Sequence, residues 1–554
     1  MRQKQIKMLQ IVCMNFAFCI LFAGLLWAGA DVRVNQDPGF LLQNEASITI
    51  NPFTPGNLVV AYNEDPSGPG GMGQGIGISY TFDGGVMWGD THVAEVWNIE
   101  GDPSVDADLN GTIFAGFMSY NGFFTDTNGI YVAFSNDGGL TWSTPVAVDL
   151  HLNSPANPGP FTDKCFLCVD NNPGSPNVGN VYITWQRDNI NGVNSDVYFS
   201  ASYNGGVSFT APQRISDLAP TVSQCVGQVP KAAPNGDVYV VWGDFPLSGH
   251  TTGYLFFDRS TNGGATWGTD VLIDSFFVVP RFPNAPSNNS FYVRSYPTLG
   301  VDPQNSNDVY VAVAADPDGI GGPDDGDIFL WASHNGGVTW GLPVLVNDDG
   351  LPCGQFQPWL DVRWDGAIDL VWLDRRVDFN DEDFEVMFAR STDGGNIFLP
   401  NIPVSDTIIP LLPDPNGWMG EYIGIDVDSA TAYIAWTDTR LGDRDIFFDA
   451  FSPPTGTPMV RTDRQAPQVF SLSQNYPNPF RNSTIIQYAL PKKCHVKLEV
   501  YNTAGQRMTV LVDREERAGY GSVRLDTNLM SPGVYFYKLR TSDFVASKKF
   551  IVIR

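Results

Sequence analysis

The chain has little of what metal, redox and nucleic-acid sites are built from. Histidine occurs five times in 554 residues and cysteine seven times. Cys13 and Cys19 fall in the N-terminal apolar run, which leaves five cysteines, too few and too odd a number for a disulfide scaffold. Cys165 and Cys168 form one C-x-x-C, but residues three apart on a strand face opposite ways and no second pair exists. That argues against a zinc or redox centre. One disulfide among Cys165, Cys168, Cys225 and Cys353 stays open in an oxidising compartment.

Basic residues are scarce as well, with 32 Lys and Arg against 60 Asp and Glu. The deficit is uneven: residues 31–469 carry −38, residues 470–554 carry +7, and the first 30 residues carry +3. So acidic an envelope repels phosphate backbones, which argues against a nucleic-acid partner. The reversal of sign marks a second, separately acting domain. Long hydrophobic runs are missing except Ile11–Leu26, which follows Arg2, Lys4 and Lys7 and precedes the small residues Ala28–Ala30. This is the layout of a secretory signal peptide over residues 1–30, with cleavage expected before Asp31 and no transmembrane anchor afterwards.

What the chain has in plenty is glycine (56), proline (40) and aromatics, including 36 Phe and 14 Trp. That mixture suits many short strands joined by turns. One turn recurs six times: "TFDGGVMW" (Thr81–Trp88), "SNDGGLTW" (Ser135–Trp142), "SYNGGVSF" (Ser202–Phe209), "STNGGATW" (Ser260–Trp267), "SHNGGVTW" (Ser333–Trp340) and "STDGGNIF" (Ser391–Phe398). The repeated acidic or amide positions are Asp83, Asp137, Asn204, Asn262, Asn335 and Asp393. Two strand-like runs precede each box, for example "DVYVVW" then "GYLFFDRS" before Asn262. An inner run comes before those and a fourth run after the box. Four strands per unit at this period predict the blades of a β-propeller.

Tyr422–Ser452 supplies a seventh set of three strands without a box, and "VRVNQD" (Val32–Asp37) resembles the fourth strands elsewhere. The expectation is a ring of seven blades in which the N-terminal segment completes the last one and leaves no open edge. In each box the paired glycines allow positive φ, and the Asp or Asn can accept backbone N–H bonds. The terminal aromatic is expected to fold back onto the blade, a burial worth roughly 4–6 kcal/mol as an upper bound. A catalytic group needs no six copies, so the boxes read as structural staples.

The S/T-x-D-G-G-x-x-W pattern resembles the Asp box, or BNR repeat, of sialidases and related propellers, over residues 31–455. The same box occurs in glycoside hydrolases, sorting receptors and non-enzymatic binding propellers, so the resemblance implies architecture more than activity.

After a Pro- and Thr-rich linker, residues 456–469, the stretch 470–554 holds "NYPNPF" (Asn475–Phe480), "VYNTAGQ" (Val500–Gln506), "SPGVYFYKL" (Ser531–Leu539) and the basic tail Lys548–Arg554. Its short alternating strands suit a small Ig-like β-sandwich. These motifs look like the type A C-terminal sorting domain of the type IX secretion system. The resemblance implies a Gram-negative cell, passage through the periplasm, and release outside or anchoring at the surface, with the type IX machinery as partner. A carbohydrate-binding or other sandwich appendage is the plain alternative.

On the propeller a ligand is expected on the face opposite the boxes, at the mouth of the central channel. The leading ends of the inner strands there offer Asp102, Lys164, Gln228, Tyr296, Gln357 and Trp359, with Glu421 and Tyr422 in the last blade. We take Tyr296, Gln357, Trp359, Lys164 and Asp102 as the ligand-binding candidates. A sialidase clamps a carboxylate with arginines, and uses a Tyr nucleophile activated by Glu with an Asp acid/base. The residues that could serve are Arg294, Arg376, Arg440, Glu421 and Tyr422. Against this, no "RIP" tripeptide follows the first strand, and sialidases have six blades. The recurring Trp-x-Asp-x-Arg pattern that supplies Arg376 and Arg440 is also what a repeated structural ion pair would look like.

"DPDGIGGPDDGD" places Asp316, Asp318, Asp324, Asp325 and Asp327 in one loop, a density of hard oxygen ligands that could hold Ca²⁺ but lacks EF-hand spacing. A solvated acidic loop is the plainer account. The functional expectation is an exported propeller that binds a glycan or a surface protein. The alternative is an exo-glycosidase of sialidase type, and a third is a passive surface-layer component.

Overall fold

The computed structural model describes residues 31–36, 41–66, 75–122, 124–190, 194–217, 223–246, 252–279, 296–317, 326–351, 353–377, 383–411, 419–452, 470–472, 475, 478, 480, 483–516, 519–526 and 530–553. The signal peptide and the linker expected at 456–469 lie outside them. Among the described residues every regular element is a strand, and no helix is long and apolar enough to cross a membrane.

Seven antiparallel four-strand units follow one another. Blade 1 runs through Leu41–Ile50, Leu58–Pro66, Gly75–Thr81 and Gly89–His92, and blade 2 through Ile99–Ala107, Ile113–Tyr120, Thr127–Ser135 and Val146–Leu152. Blades 3 to 6 repeat the order, starting at Phe161, Ser223, Thr298 and Gln355. Blades 4 and 5 are joined in one sheet by the pairs Phe277↔Asp316 and Val278↔Ala315. The inner strands touch in cyclic order, the last (Gly424–Val427) packing against the first (Leu41–Ile50), so the ring is closed.

Blade 7 takes its fourth strand from the N-terminus. Val32 pairs with Phe448 and Arg33 with Phe447, and Val34 N donates to Ile446 O at 2.8 Å. Asn35 adds two side-chain bonds, to Asp445 Oδ1 (3.0 Å) and from Ile446 N (2.9 Å). The closure expected from Val32–Asp37 is present as far as the structure describes that segment, to Gln36.

The second strands are almost wholly apolar because neighbouring blades cover both their faces. Trp185, Trp242, Trp372 and Trp436, on the second strands of blades 3, 4, 6 and 7, are among the largest fully buried side chains. Each blade thus shares its core with the next.

The boxes form the corners as expected, with one difference. In the first, Thr81 Oγ1 donates to Asp83 Oδ1 at 2.7 Å, and that oxygen accepts Val86 N and Met87 N at 3.0 Å each. Gly85, at φ +97°, packs so tightly on the Phe448 ring that a Cβ has no room. The box aromatics do not fold only onto their own blade; they reach the preceding one. Trp88 meets Phe448 of blade 7 edge-on at 5.2 Å, Trp267 meets Phe199 of blade 3 at 4.8 Å, and Trp340 meets Phe257 of blade 4 at 5.3 Å. The reason is geometric: the two glycines, both at positive φ, swing the chain to the blade's flank, where it meets a ring of the neighbour. A box is a staple between blades.

Beyond the linker two sheets face each other. One holds Ser471–Leu472, Ser483–Leu490 and Gly519–Asp526; the other holds Arg507–Glu516, Cys494–Asn502, Gly533–Arg540 and Val545–Val552. Alternation along Gly533–Arg540 sends Tyr535, Tyr537 and Leu539 inward against Phe550, the pattern of a small sandwich.

Candidate functional site

The inner strands share an irregularity near their leading ends. Register breaks fall at Asn44/Ser47, Gly101/Ser104, Asp163/Cys165, Val226/Val229 and Phe356/Trp359. At these bulges Glu45, Asp102, Lys164 and Gln357 hold φ of 60°, 52°, 26° and 51°, and are the only non-glycine residues with positive φ among those described. Such a conformation costs about 1–2 kcal/mol per residue, so it persists only where surroundings enforce it. In blade 7 the positive φ is at Gly420 (85°), ahead of the paired strand, where a Cβ would meet Glu45 Cγ at 2.8 Å, and the polar side chain comes from the next residue, Glu421. The bulges re-aim side chains that a regular strand would send into the blade interfaces.

Four of these side chains meet at one ammonium group. Lys164 Nζ lies 2.8 Å from Glu421 Oε2, 3.1 Å from Glu45 Oε2 and 3.6 Å from Asp102 Oδ2. It sits 4.9 Å from the Tyr422 ring centroid and 5.4 Å from that of Tyr296. The Tyr296 hydroxyl donates to Glu421 Oε2 at 2.6 Å. Asn63 ties two blades together, donating to Glu45 Oε2 at 3.3 Å and accepting Asp102 N at 2.7 Å. Gln357 Nε2 donates to Gly420 O at 2.6 Å, and Gln228 Nε2 to Lys164 O. Lys164, Glu45, Glu421 and Tyr296 are all buried. Glu45 Oε1, Gln228 Oε1 and Gln357 Oε1 are buried acceptors with no donor.

The electrostatics follow from burial and crowding. Burial drives the Glu45 carboxyl well above the usual carboxylate range; Lys164 opposes this, while Asp102 and Glu421 add to it. Burial works against the Lys164 ammonium too, but the three carboxylates outweigh it and hold its pKa well above lysine's ordinary value. Asp163, next along the strand, is pushed up to about 7 by burial and then by Asp102 and Asp188. Burial raises the Tyr422 hydroxyl well above a normal phenol.

Of the residues singled out from sequence, Asp102, Lys164, Tyr296, Glu421 and Tyr422 come together. Tyr422 does not pair with Glu421: its hydroxyl donates to Pro103 O at 2.8 Å, and Tyr296 from blade 5 takes that place. Trp359 lies beneath the cluster, 5.2 Å from Phe166 and 5.9 Å from Tyr422.

Arg376 and Arg440 stand elsewhere. Arg376 binds Asp374 (2.8 Å), Asp348 (2.7 Å) and Asn401 Oδ1 (2.9 Å). Arg440 binds Asp438 and Asp31 at 2.7 Å each and Asp406 at 2.6 Å. Their spacing explains the repeated motif: Trp372 and Trp436 Nε1 donate to Asp374 and Asp438 Oδ2, two residues on and so on the same face, and each Asp then holds the Arg two residues further. Arg294 lies outside the described residues.

Glu45 and Asn63 were missed by sequence reasoning. The signal was available: "NEASITI" puts an acid in blade 1 at the register of Asp102 and Lys164.

Of the loop acids, Asp318, Asp324 and Asp325 lie outside the described residues. Asp327 is hydrogen-bonded by Asn347 at 2.6 Å, and burial pushes it up to about 7; Asp316 is buried at the end of its strand. Among the described residues no group of three or more His, Cys, Asp or Glu could hold a metal ion. The disulfide left open by the sequence is not formed: Cys165, Cys168, Cys225 and Cys353 are free and buried, as is Cys494.

Residues 474–553 match the secretion system C-terminal sorting domain family, which makes the C-terminal sandwich such a sorting domain. No curated protein matches the chain. Among solved structures it is similar to the GH93 α-L-arabinofuranosidase of Fusarium graminearum with arabinobiose, at 12% identity and TM-score 0.44, covering 77% of this chain and 98% of that one. It is also similar to a polysaccharide lyase of family PL25, an ulvan lyase, at 13% identity and TM-score 0.44, covering 76% and 96%. A third is the leech intramolecular trans-sialidase complexed with 2,7-anhydro-Neu5Ac, at 12% identity and TM-score 0.40, covering 65% and 69%. The propeller fold itself rests on the strand pairing described above.

Proposed function

We propose that the chain is an exported propeller that binds a glycan or a surface protein on the face opposite the boxes, and that residues 470–554 direct it through the type IX machinery of a Gram-negative cell. The sorting domain supports export to the surface or the medium. One observation favours binding over turnover. Among the described residues, the candidate cations that a sugar-acid hydrolase would aim at its substrate are spent within the fold, Lys164 on three carboxylates and Arg376 and Arg440 on acids of their own and adjoining segments.

The alternative, an exo-glycosidase of sialidase type, draws on a specific contact: Tyr296 and Glu421 stand at 2.6 Å, as a phenol nucleophile and its base would. Calcium in the Asp316–Asp327 loop remains part of the proposal only as an optional ligand. The test is a glycan array run on the mature full-length protein, with a fluorogenic sialoside assay alongside. Binding without turnover is expected. Turnover abolished by Glu421→Gln or Tyr296→Phe would replace this reading by the alternative.

A further inference from the structure

The residue expected to become the first of the mature chain is not a loose end. Asp31 and Asp406 face each other reciprocally: Asp31 N donates to Asp406 Oδ2 at 3.3 Å and Asp406 N to Asp31 Oδ2 at 2.8 Å. Arg440 bridges both carboxylates and also binds Asp438. The Asp31 side chain is wholly buried, and its Oδ1 has no hydrogen-bond partner. Three acids thus share one guanidinium. Burial, with the neighbouring Asp406 carboxylate, pushes the Asp31 carboxyl up to about 8 while residue 31 is a mid-chain residue. The place lacks one positive charge, and the missing charge has an obvious source.

The geometry points to a processing-dependent lock: removal of residues 1–30 creates an α-ammonium group on Asp31 that pairs with Asp406 and completes the ion cluster holding the ring-closing strand on blade 7. Hydrolysis of the Ala30–Asp31 bond by a leader peptidase gives the water hydroxyl to the Ala30 carbonyl and a proton to the Asp31 nitrogen. That amine takes up a further proton at neutral pH. One amide N–H then becomes three charged donors, of which the first already points at Asp406 Oδ2. The others bring positive charge onto the residue whose own buried carboxylate has an Oδ1 with no partner. The cluster lies beside the Val32↔Phe448 and Arg33↔Phe447 pairs, so its charge balance acts directly on closure of the ring. A chain still carrying its leader closes with an uncompensated acid; a trimmed one closes with the acid paired.

This inference rests on cleavage before Asp31, and the experiment separates the two. N-terminal sequencing of the exported protein is expected to begin at Asp31; any other first residue overturns both the cleavage site and the lock. The full mature chain, residues 31–554, is then prepared with a free α-amine, with that amine acetylated, and with one extra glycine before Asp31. Thermal unfolding is expected to place the two blocked forms lower by about 2 °C or more. The same comparison on Asp406→Asn is expected to show no difference. Equal midpoints for free and blocked wild-type chains, or an undiminished difference in Asp406→Asn, would overturn the lock while leaving the cleavage site intact.

Discussion

The Lys164 ammonium touches Glu421 at 2.8 Å while Tyr296 donates to the same carboxylate oxygen at 2.6 Å, so one atom of blade 7 is shared by blades 3 and 5. Blades that are not neighbours along the ring are thereby tied across the channel. Coupling of this kind is absent from repeat arrays whose units contact only adjacent units.

Removing the ammonium should therefore be severe. Lys164→Met leaves Glu45 and Glu421 buried without a counter-charge, and we expect a loss of about 3–5 kcal/mol in urea unfolding. Lys164→Met combined with Glu45→Gln and Glu421→Gln should recover much of it. A single mutant as stable as the parent would show that the cluster is solvated.

Stability should fall as the pH rises from acidic to neutral. Asp258 is pushed up to about 7 by burial, and Glu100 likewise. A carboxyl with a folded pKa above its unfolded value near ~4 stabilises the fold while protonated, and that contribution is lost as pH rises from ~4 through the folded value. The unfolding midpoint should drop between about pH 4 and pH 7 and level off above that. Asp258→Asn should flatten part of this slope and raise the midpoint at the alkaline end; an unchanged slope would contradict the assignment.

The interface between blades 6 and 7 lacks a box and uses another ring pair. Phe451 meets Phe388 edge-on at 4.9 Å. Phe451→Ala should cost about 2 kcal/mol in urea unfolding, and the loss should be seen in the propeller transition while the sandwich transition stays put. A cost below ~0.5 kcal/mol would mean that this pair is not the substitute staple.

Deleting residues 470–554 should leave the protein in the periplasm of its own cell, read by fractionation and immunoblot. Export undiminished by the deletion would dissociate the sorting domain from secretion in this chain.

Much of the architecture was legible because it repeats. Six copies of one turn set the period, and "VRVNQD" betrayed the closing strand by its likeness to the other outer strands. The channel residues were legible only in part. Asp102, Lys164 and Tyr296 stood out as polar breaks in apolar strands, but their mutual contact depends on bulges, and nothing local announces that Glu45 or Lys164 adopts positive φ. Glu421 could be placed but not partnered, since Tyr296 arrives from 125 positions away. Arg376 and Arg440 could be placed near the mouth from sequence, but the carboxylates that hold them, Asp348 and Asp31 among them, could not.

The pairing of Val32 and Arg33 with Phe448 and Phe447 sets an order of events in time. The first strand of the propeller to leave the ribosome must wait for nearly the last before it has anything to hold. Every product interrupted before Asp445 is left with a gap and two ragged flanks, open to proteases and to unwanted strand addition. Completion of the propeller is thereby inspected by the architecture itself, and only a chain carried through the last blade can shut the door behind it.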